Sequence, residues 1–210
     1  MKNKNYKIIA KNVIELEIQA LKKLKKSIDS SFNKAVHAIV KCQSKIIFCG
    51  VGKSSKISAK LSATFSSVGS PSFSLSAGDA SHGDLGSISK KDVLILISYS
   101  GETHELKNII QYAKRNKIML IGIVSKKKSI LYKSSDIKLY IPEVKEAGYG
   151  IVPTSSTAAQ LAMGDSLAIA SMEYKKFGKV DFKKFHPSGS LGAKLKTCLL
   201  YTSPSPRDGL

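Results

Sequence analysis

The fold is decided by a stretch near the middle of the chain, residues 92–124, which reads DVLILISYSGETHELKNIIQYAKRNKIMLIGIV. It holds two strongly apolar segments, Asp92–Ile97 and Ile118–Val124, each of which predicts a buried strand. The segment between them, Glu102–Arg115, repeats its apolar residues at helical spacing and predicts an amphipathic helix. A strand, a helix and a second strand in this order are typical of a parallel sheet.

The same alternation extends outward in both directions. Three more strands are predicted, at Lys45–Cys49, Ser72–Leu75 and Ile137–Ile141, and four more helices, at Tyr6–Ile28, Phe32–Cys42, Lys53–Val68 and Thr154–Tyr174. Five strands among helices predict the α/β class. We expect a three-layer sandwich in which helices cover both faces of a five-stranded parallel sheet.

Two of these helices and the chain ends support further predictions. Tyr6–Ile28 is predicted to have one apolar stripe with lysines opposite, and Thr154–Tyr174, apolar on nearly all sides, to be buried. We divide the chain into N-terminal helices (1–44) that pack on a core (45–196), and a tail (197–210). The tail lacks periodicity, so we interpret it as non-native or truncated and exclude it from the fold prediction.

The net charge of the 210-residue chain is +19, from 34 Lys and Arg against 15 Asp and Glu. Only Arg115 and Arg207 are arginines, whereas specific readers of DNA depend on arginine forks. The charge therefore predicts a lysine-rich surface that attracts anionic small molecules, without a specific nucleic-acid partner. Weak, salt-sensitive binding of polyanions is the alternative.

The sequence also lacks the signs of a membrane or secreted protein. No apolar run approaches the about 18 to 20 residues that cross a bilayer, so no membrane partner is predicted. Cys42, Cys49 and Cys198 have no paired spacing, which argues against a disulfide framework or a cysteine-rich zinc site and favours the reducing cytoplasm. No metal-ligand spacing such as His-Glu-x-x-His occurs, so no metal is predicted.

Ligands of parallel sheets bind at the carboxyl ends of the strands, so the loops after the strands are the candidate sites. In the first such loop, Gly50 and Gly52 allow a tight turn and the close approach of a ligand. Lys53 stands at a helix start, where the helix dipole disfavours a cation, and this suggests an anionic ligand; a solvent-facing lysine is the alternative. Nucleotide binding is disfavoured, because Ile47 and Ser55 stand where a P-loop and a dinucleotide fingerprint need glycines.

The loop Ser98–Thr103 follows the strongest predicted strand. The hydroxyls of Ser98, Ser100 and Thr103, together with Gly101, surround a predicted helix N-terminus. Unpaired backbone N–H groups at such an end bind phosphate. A helix cap needs only one hydroxyl, so we favour a phosphate cradle over a plain cap.

Three other loops offer groups for acid–base chemistry. His82 lies among glycines and aspartates as a candidate acid, base or metal ligand, although a lone loop histidine is more often none of these. Glu146 follows a predicted strand as a candidate base, and His186 is presented by a turn rich in proline and glycine. Some of the hydroxyls on Thr154–Thr157 act as caps of the long helix.

Together these loops resemble the sugar-isomerase (SIS) domain family and, within it, the arabinose-5-phosphate isomerases. The resemblance runs from about Tyr6 to Leu195. The stretches on which it rests are Gly50–Ser54, Gly78–Gly86, Ser98–Glu102, Lys145–Ala147, Pro153–Thr157, Met163–Asp165 and His186–Gly189. The Ser-x-Ser-Gly-Glu loop marks the wider family, and the His-Gly-Asp-Leu-Gly loop and the His-Pro turn are more specific.

The resemblance implies an aldose–ketose isomerase that interconverts D-ribulose 5-phosphate and D-arabinose 5-phosphate through an enediol. Its product would serve the synthesis of 3-deoxy-D-manno-octulosonate for lipopolysaccharide or capsule. The resemblance further implies a homotetramer whose active sites are shared between subunits, and the chemistry requires no cofactor.

Catalytic and substrate-binding positions follow from the same resemblance. The predicted catalytic residues are Lys53, Glu102, Glu146 and His186, with His82 close by. The residues predicted to bind substrate are Gly52, Ser54, Ser98, Ser100, Gly101, Thr103, Ser155, Ser156 and Thr157. Glu146 or Glu102 would be the base at carbon, and His186 would shuttle the proton between the oxygens. Lys53 would offset developing negative charge, with His82 as a supporting acid.

The chain departs from the family pattern in two loops. Gly148-Tyr149 stands where the family usually has Cys-Pro, and Ser188 where it usually has glycine. Many relatives also have a C-terminal pair of CBS domains, which this chain is expected to lack. The alternative functions are a non-catalytic sugar-phosphate-sensing module and an isomerase of a hexulose or heptose phosphate.

Overall fold

Five short apolar segments form one parallel sheet in a computed structural model that describes residues 5–186. The strands are β1 (Ile46–Gly50), β2 (Ser72–Ser76), β3 (Val93–Ser98), β4 (Met119–Val124) and β5 (Ile137–Tyr140). Their order across the sheet is β2-β1-β3-β4-β5. β1 and β3 are buried at every position, which is why they appear in the sequence as continuous apolar runs.

Helices connect the strands and cover the sheet. They are α1 (Tyr6–Ser27), α2 (Ser30–Val40), α3 (Lys53–Ser67), α4 (Ala77–Ala80), α5 (Leu106–Arg115), α6 (Ile130–Ser134), α7 (Ser155–Tyr174) and α8 (Lys179–Phe185). A 3-10 turn spans Asp84–Ser87.

The core is divided into two parts by the sheet. On one face, α1, α2, α3 and α7 pack on side chains that include Phe48 and Phe65. On the other face, α4, α5 and α6 pack on side chains that include Leu96 and Leu106. The predicted three-layer α/β sandwich with a five-stranded parallel sheet is therefore confirmed.

The prediction that the long helix is buried holds for one side of α7, whereas Ile169 and Tyr174 expose 46% and 55% of their surface. α7 contacts α1, α2 and α3. The closest approach is at Gly164, where a Cβ atom would overlap the side chain of Leu61 on α3. The small residues of α7 thus allow it to lie inside the helical layer.

Some elements differ from the sequence prediction. α5 begins at Leu106 instead of Glu102. The short helices α4, α6 and α8 were not predicted, because four to seven residues are too few to show helical periodicity. The single apolar stripe predicted for α1 is only partly buried: Ala20 and Leu24 are buried, but Ile9, Leu21 and Ile28 are exposed. Leu21 forms an exposed apolar row with Ile14 and Ile18.

Residues 1–4 and 187–210 lie outside the described part, as do the predicted turn after His186 and the predicted tail (197–210). Within residues 5–186, no helix is both long and apolar enough to span a bilayer. Contacts of α1 and α2 with α7 cross the predicted boundary at residue 44. The division into 1–44 and 45–196 stays a prediction.

Candidate active site

The order of the strands reverses at β1, which has β2 on one side and β3 on the other. Gly50, the last residue of β1, lies beside Ser76 of β2 and Ile97 of β3. Neighbouring strands are about 5 Å apart, so the loops after these three strands meet at one edge. Such a reversal is where open α/β sheets bind ligands.

A cleft of about 450 Å³ opens at this edge. A cavity of this size is in the range that holds small ligands. Its lining residues are Gly50, Val51, Gly52, Ser55, Lys56, Ala59, Ser74, Leu75, Ser76, Ala77, Gly78 and Glu105. One predicted binding residue, Gly52, is among them.

Sequence reasoning missed two charged residues of the cleft, Lys56 and Glu105. Lys56 lies three residues after Lys53, and Glu105 lies three residues after Glu102; Lys53 and Glu102 are predicted catalytic residues. Residues three apart on a helix share a face, so this spacing was a usable signal for Lys56. The position of Glu105 depends on how the loop after β3 folds over the cleft, which the sequence does not show.

The loop between β1 and α3 turns sharply toward the cleft. Gly50 is required there, because a Cβ atom would lie 2.8 Å from the backbone of Ser54. Gly52 has φ +61, in the left-handed region that favours glycine. Lys53 is the first residue of α3 and is exposed. The hydroxyl of Ser54 donates to Oε1 of Gln160 at 3.1 Å and so joins the start of α3 to α7.

The hydroxyls of the Ser98–Thr103 loop are partly engaged within the loop. The hydroxyl oxygens of Ser98 and Thr103 lie 2.8 Å apart, and Ser98 Oγ accepts from the N–H of Gly101 at 3.0 Å. Ser100 is exposed and accepts from the N–H of Glu102 at 3.3 Å. The loop is therefore held by internal hydrogen bonds and keeps the Ser100 hydroxyl exposed.

Glu102 and Glu105 have different surroundings. Oε1 of Glu102 accepts from the N–H of Ile130 at 2.9 Å, at the start of α6. This bond directs its carboxylate toward α6. Glu105 immediately precedes α5 and is the carboxylate that lines the cleft. Of the two, Glu105 is the one that can meet a ligand there.

Glu146 caps the start of α7. Its Oε2 accepts from the N–H of Thr154 at 2.9 Å, and both carboxylate oxygens lie 3.3 Å from the N–H of Ser156. Partial burial raises the pKa of Glu146, but the hydrogen bonds from Ser156 and Thr154 outweigh it and hold the pKa below the ordinary value of 4.5. The carboxylate is thus ionised at neutral pH.

The other hydroxyls at the start of α7 are differently placed. Ser155 and Ser156 are buried, and the hydroxyl of Ser155 has no hydrogen-bond partner within the described residues. Thr157 donates to the carbonyl oxygen of Thr154 at 2.7 Å. Of these predicted binding groups, Thr157 is engaged by its own helix.

The loop that holds Glu146 is joined to the Ser98–Thr103 loop. The N–H of Val144 donates to the phenol oxygen of Tyr99 at 2.9 Å. The Val144–Tyr99 bond thus joins the loops after β3 and β5. A separate, exposed ion pair joins Glu143 to Lys126 in the loop after β4, at 2.5 Å.

The two predicted catalytic histidines lie in different places. His82 is exposed and follows α4, two of whose residues, Ala77 and Gly78, line the cleft. His186 follows α8, where its ring stacks on Phe182 with centroids 3.8 Å apart. His82 is thus near the cleft, and His186 belongs to another region.

The position of His186 follows from two aromatic contacts. The ring of Phe177 packs against Gly69, just after the end of α3, and Phe185 stacks on Phe177. α3 has 15 residues, about 22 Å of helix. Within one chain, His186 therefore lies at the opposite end of α3 from Lys53.

No three His, Cys, Asp or Glu side chains of residues 5–186 are grouped to hold an ion. The polar side chains that line the cleft are one carboxylate, Glu105, one lysine, Lys56, and the hydroxyls of Ser55, Ser74 and Ser76.

The chain is similar to several known proteins. A family model described as SIS domain matches residues 39–170. The arabinose 5-phosphate isomerase KdsD of Francisella tularensis is 45% identical over 190 residues, and that of Yersinia pestis is 43% identical over 186 residues. A protein of Escherichia coli CFT073, solved in complex with arabinose 5-phosphate, superposes with a TM-score of 0.84 at 39% identity.

The extent of these matches differs between the relatives. The matches to the two isomerases cover 89% and 88% of this chain, but the chain spans only 58% and 57% of their length. The match to the E. coli structure covers 89% of this chain and 100% of that one. The described fold thus corresponds to a whole known structure and to a part of the longer relatives.

Proposed function

Because the chain belongs to the SIS domain family, we propose that it is an aldose–ketose isomerase that interconverts D-ribulose 5-phosphate and D-arabinose 5-phosphate. The observation on which this proposal depends is a carboxylate, Glu105, in a cleft at the strand reversal, beside a hydroxyl-rich loop. The relatives that bear the name of this activity support it. So does the E. coli protein, whose structure holds the proposed product.

The phosphate is proposed to lie against the Ser98–Thr103 loop. The exposed hydroxyl of Ser100 is the proposed donor of this loop, because the N–H groups of Gly101 and Glu102 already donate to the hydroxyls of Ser98 and Ser100. Gly52 leaves the backbone open to the ligand, since nothing lies within 4 Å of the place of a Cβ atom. Lys53 and Lys56 add positive charge at the start of α3.

The reaction transfers a proton between two adjacent carbons. A base removes a proton from C1 of the ketose, an enediolate forms, and the same base returns a proton to C2. A second proton passes between O1 and O2. Substrate and product have the same oxidation state overall, so no redox cofactor takes part.

Glu105 is the base that the cleft favours. Glu102 and Glu146, the two bases predicted from the sequence, accept hydrogen bonds from the starts of α6 and α7. The lowered pKa of Glu146 makes it a weaker base than an unperturbed carboxylate. Lys53 or Lys56 would offset the charge of the enediolate, and His82 would act as a supporting acid.

His186 is proposed to act across a subunit boundary. In its own chain it lies near the C-terminal end of α3, a helix about 22 Å long, whereas Lys53 is at the N-terminal end. A proton shuttle needs hydrogen-bond distance to the substrate, so His186 would have to come from a second copy. This supports the proposed homotetramer with shared active sites.

The setting of the reaction follows from the same proposal. Within residues 5–186, Cys42 and Cys49 form no disulfide, which supports an enzyme of the reducing cytoplasm. The product would supply the synthesis of 3-deoxy-D-manno-octulosonate. Whether it feeds lipopolysaccharide or capsule is a matter of the downstream enzymes.

The direct test is incubation of the protein with D-ribulose 5-phosphate in D₂O. We expect D-arabinose 5-phosphate with deuterium at C2, detected by NMR. A hexulose or heptose phosphate that turns over faster would replace the pentose assignment with a related isomerase. Binding of arabinose 5-phosphate without turnover, together with a DNA gel shift, would support a sugar-phosphate sensor instead.

A further inference from the structure

The outer face of α1 has a row of exposed apolar side chains. Ile14, Ile18 and Leu21 expose 55%, 38% and 38% of their surface. Their spacing of four and three residues is that of a helix-pairing seam. The opposite side of α1 already packs on the domain, where Ala20 and Leu24 are buried.

Two charged residues flank this row in a self-complementary way. Glu15 and Lys22 are exposed and lie seven residues apart, two turns along the same flank of α1. In an antiparallel pair of helices related by a two-fold axis between residues 18 and 19, Glu15 of one copy faces Lys22 of the other. The pairing occurs twice, because a two-fold interface presents the same patch from both copies.

Glu17, on another side of α1, is a natural comparison for Glu15. Glu17 is two residues from Glu15 and so lies on a different side of the helix. In the same antiparallel register it would face Ala20, which has no charge and is buried against the domain. The charge pattern therefore selects one flank and one orientation.

We propose that this face of α1, with Ile14, Ile18 and Leu21 at its centre, docks antiparallel on the same face of a second copy of the chain. The net charge of +19 makes two copies repel, so the two Glu15–Lys22 pairs provide local attraction where the copies meet. The inference rests on the proposed shared active site, which requires a second copy of the chain. It adds the surface through which that copy docks.

The test is a charge exchange read by sedimentation velocity at low salt. Glu15→Lys alone and Lys22→Glu alone should each raise the dissociation constant of the pair roughly tenfold, because like charges then face each other. The double exchange should restore the wild-type constant. Glu17→Lys is the matched control and should change it much less.

A second variant tests the apolar centre. Ile18→Lys should shift the protein to the smaller species, and circular dichroism should show an unchanged fold, since the side chain is on the surface. The proposal is overturned if Ile18→Lys leaves the mass unchanged, if the double exchange restores nothing, or if residues 187–210 prove to cover the row. An isomerase assay on the wild type tests the proposed function independently. The effects of the charge exchanges on the dissociation constant do not require isomerase activity, so either proposal can fail without the other.

Discussion

The phenol oxygen of Tyr99 accepts a hydrogen bond from the backbone N–H of Val144 at 2.9 Å, across 45 residues of sequence. Tyr99 belongs to the hydroxyl-rich loop after β3, and Val144 lies two residues before Glu146. The contact therefore joins the loop proposed to hold the phosphate to the loop that holds the Glu146 cap of α7. Tyr99 is a positioning residue in this arrangement, because it acts through Val144.

Replacement of Tyr99 by Phe should loosen this link. It leaves the N–H of Val144 without its acceptor, which should lower the free energy of unfolding by about 1 kcal/mol. We expect kcat to fall roughly tenfold with a smaller change in KM, since misplaced groups cost more in the transition state than in binding. Steady-state kinetics and urea unfolding measure the two effects.

Tyr140→Phe is the matched control for this variant. The ring of Tyr140 lies under the ammonium group of Lys127, 4.5 Å from the ring centroid, and a phenyl ring preserves that contact. Equal kinetics for Tyr99→Phe and Tyr140→Phe would show that the Tyr99–Val144 bond does not position the site.

Amide substitution can distinguish the roles of Glu102 and Glu105, the two carboxylates of the loop after β3. Glu105→Gln removes the proposed base from the cleft and should lower kcat by about 10² to 10⁴-fold, with loss of deuterium exchange at C2. Glu102→Gln keeps an oxygen that accepts from Ile130 N–H, so activity should change little. NMR of the product in D₂O distinguishes the two. The reverse order of losses would restore Glu102 as the base.

Much of the fold could be predicted because the sheet is buried on both faces. β3 was expected at Asp92–Ile97 and lies at Val93–Ser98, since a run of Val, Leu and Ile has few other stable places. α6 could not be predicted, because its five residues make little more than one helical turn and therefore show no repeated apolar spacing.

The site was predicted less completely, because side-chain partners lie far apart in sequence. The sequence predicts that Glu146 follows a strand, but only the structure shows its hydrogen bonds to the start of α7. The contact of Glu102 with Ile130 crosses 28 residues and leaves no local pattern. The roles of Glu105 and Glu102 therefore became separable only once the loops were seen together.

The cap formed by Glu146 predicts a pH dependence of stability. Its pKa is lowered in the folded state relative to 4.5, so on acidification the unfolded chain takes up the proton first. The stabilisation of the fold by the ionised Glu146 carboxylate is complete above about pH 4.5. It is lost as the pH falls through the lower pKa of the folded state. Glu146→Gln should thus lower the free energy of unfolding by about 0.5–1 kcal/mol at pH 7, the cost of a weakened cap.

Urea unfolding from pH 7 to pH 3 checks this prediction. The difference between wild type and Glu146→Gln should shrink toward acid pH. The exposed Glu173, near the other end of α7, provides the control substitution Glu173→Gln. A difference that stays constant with pH would mean that the charge of Glu146 does not contribute to the cap.

Gly101 should be the least replaceable residue of the hydroxyl-rich loop. Its φ is +69, and a Cβ atom would overlap the side chains of Ser129 and Val124. Gly101→Ala combines left-handed backbone strain with this overlap, so we expect a loss of about 2–4 kcal/mol in the free energy of unfolding. Gly86→Ala is the matched control, because nothing lies within 4 Å of its Cβ position and its φ is not positive. Thermal unfolding should show a much lower Tm for Gly101→Ala than for Gly86→Ala; equal Tm values would mean that the loop shifts away from α6 without cost. If Gly101→Ala still folds, weaker binding of arabinose 5-phosphate would show that the same contact with Ser129 also shapes the proposed phosphate site.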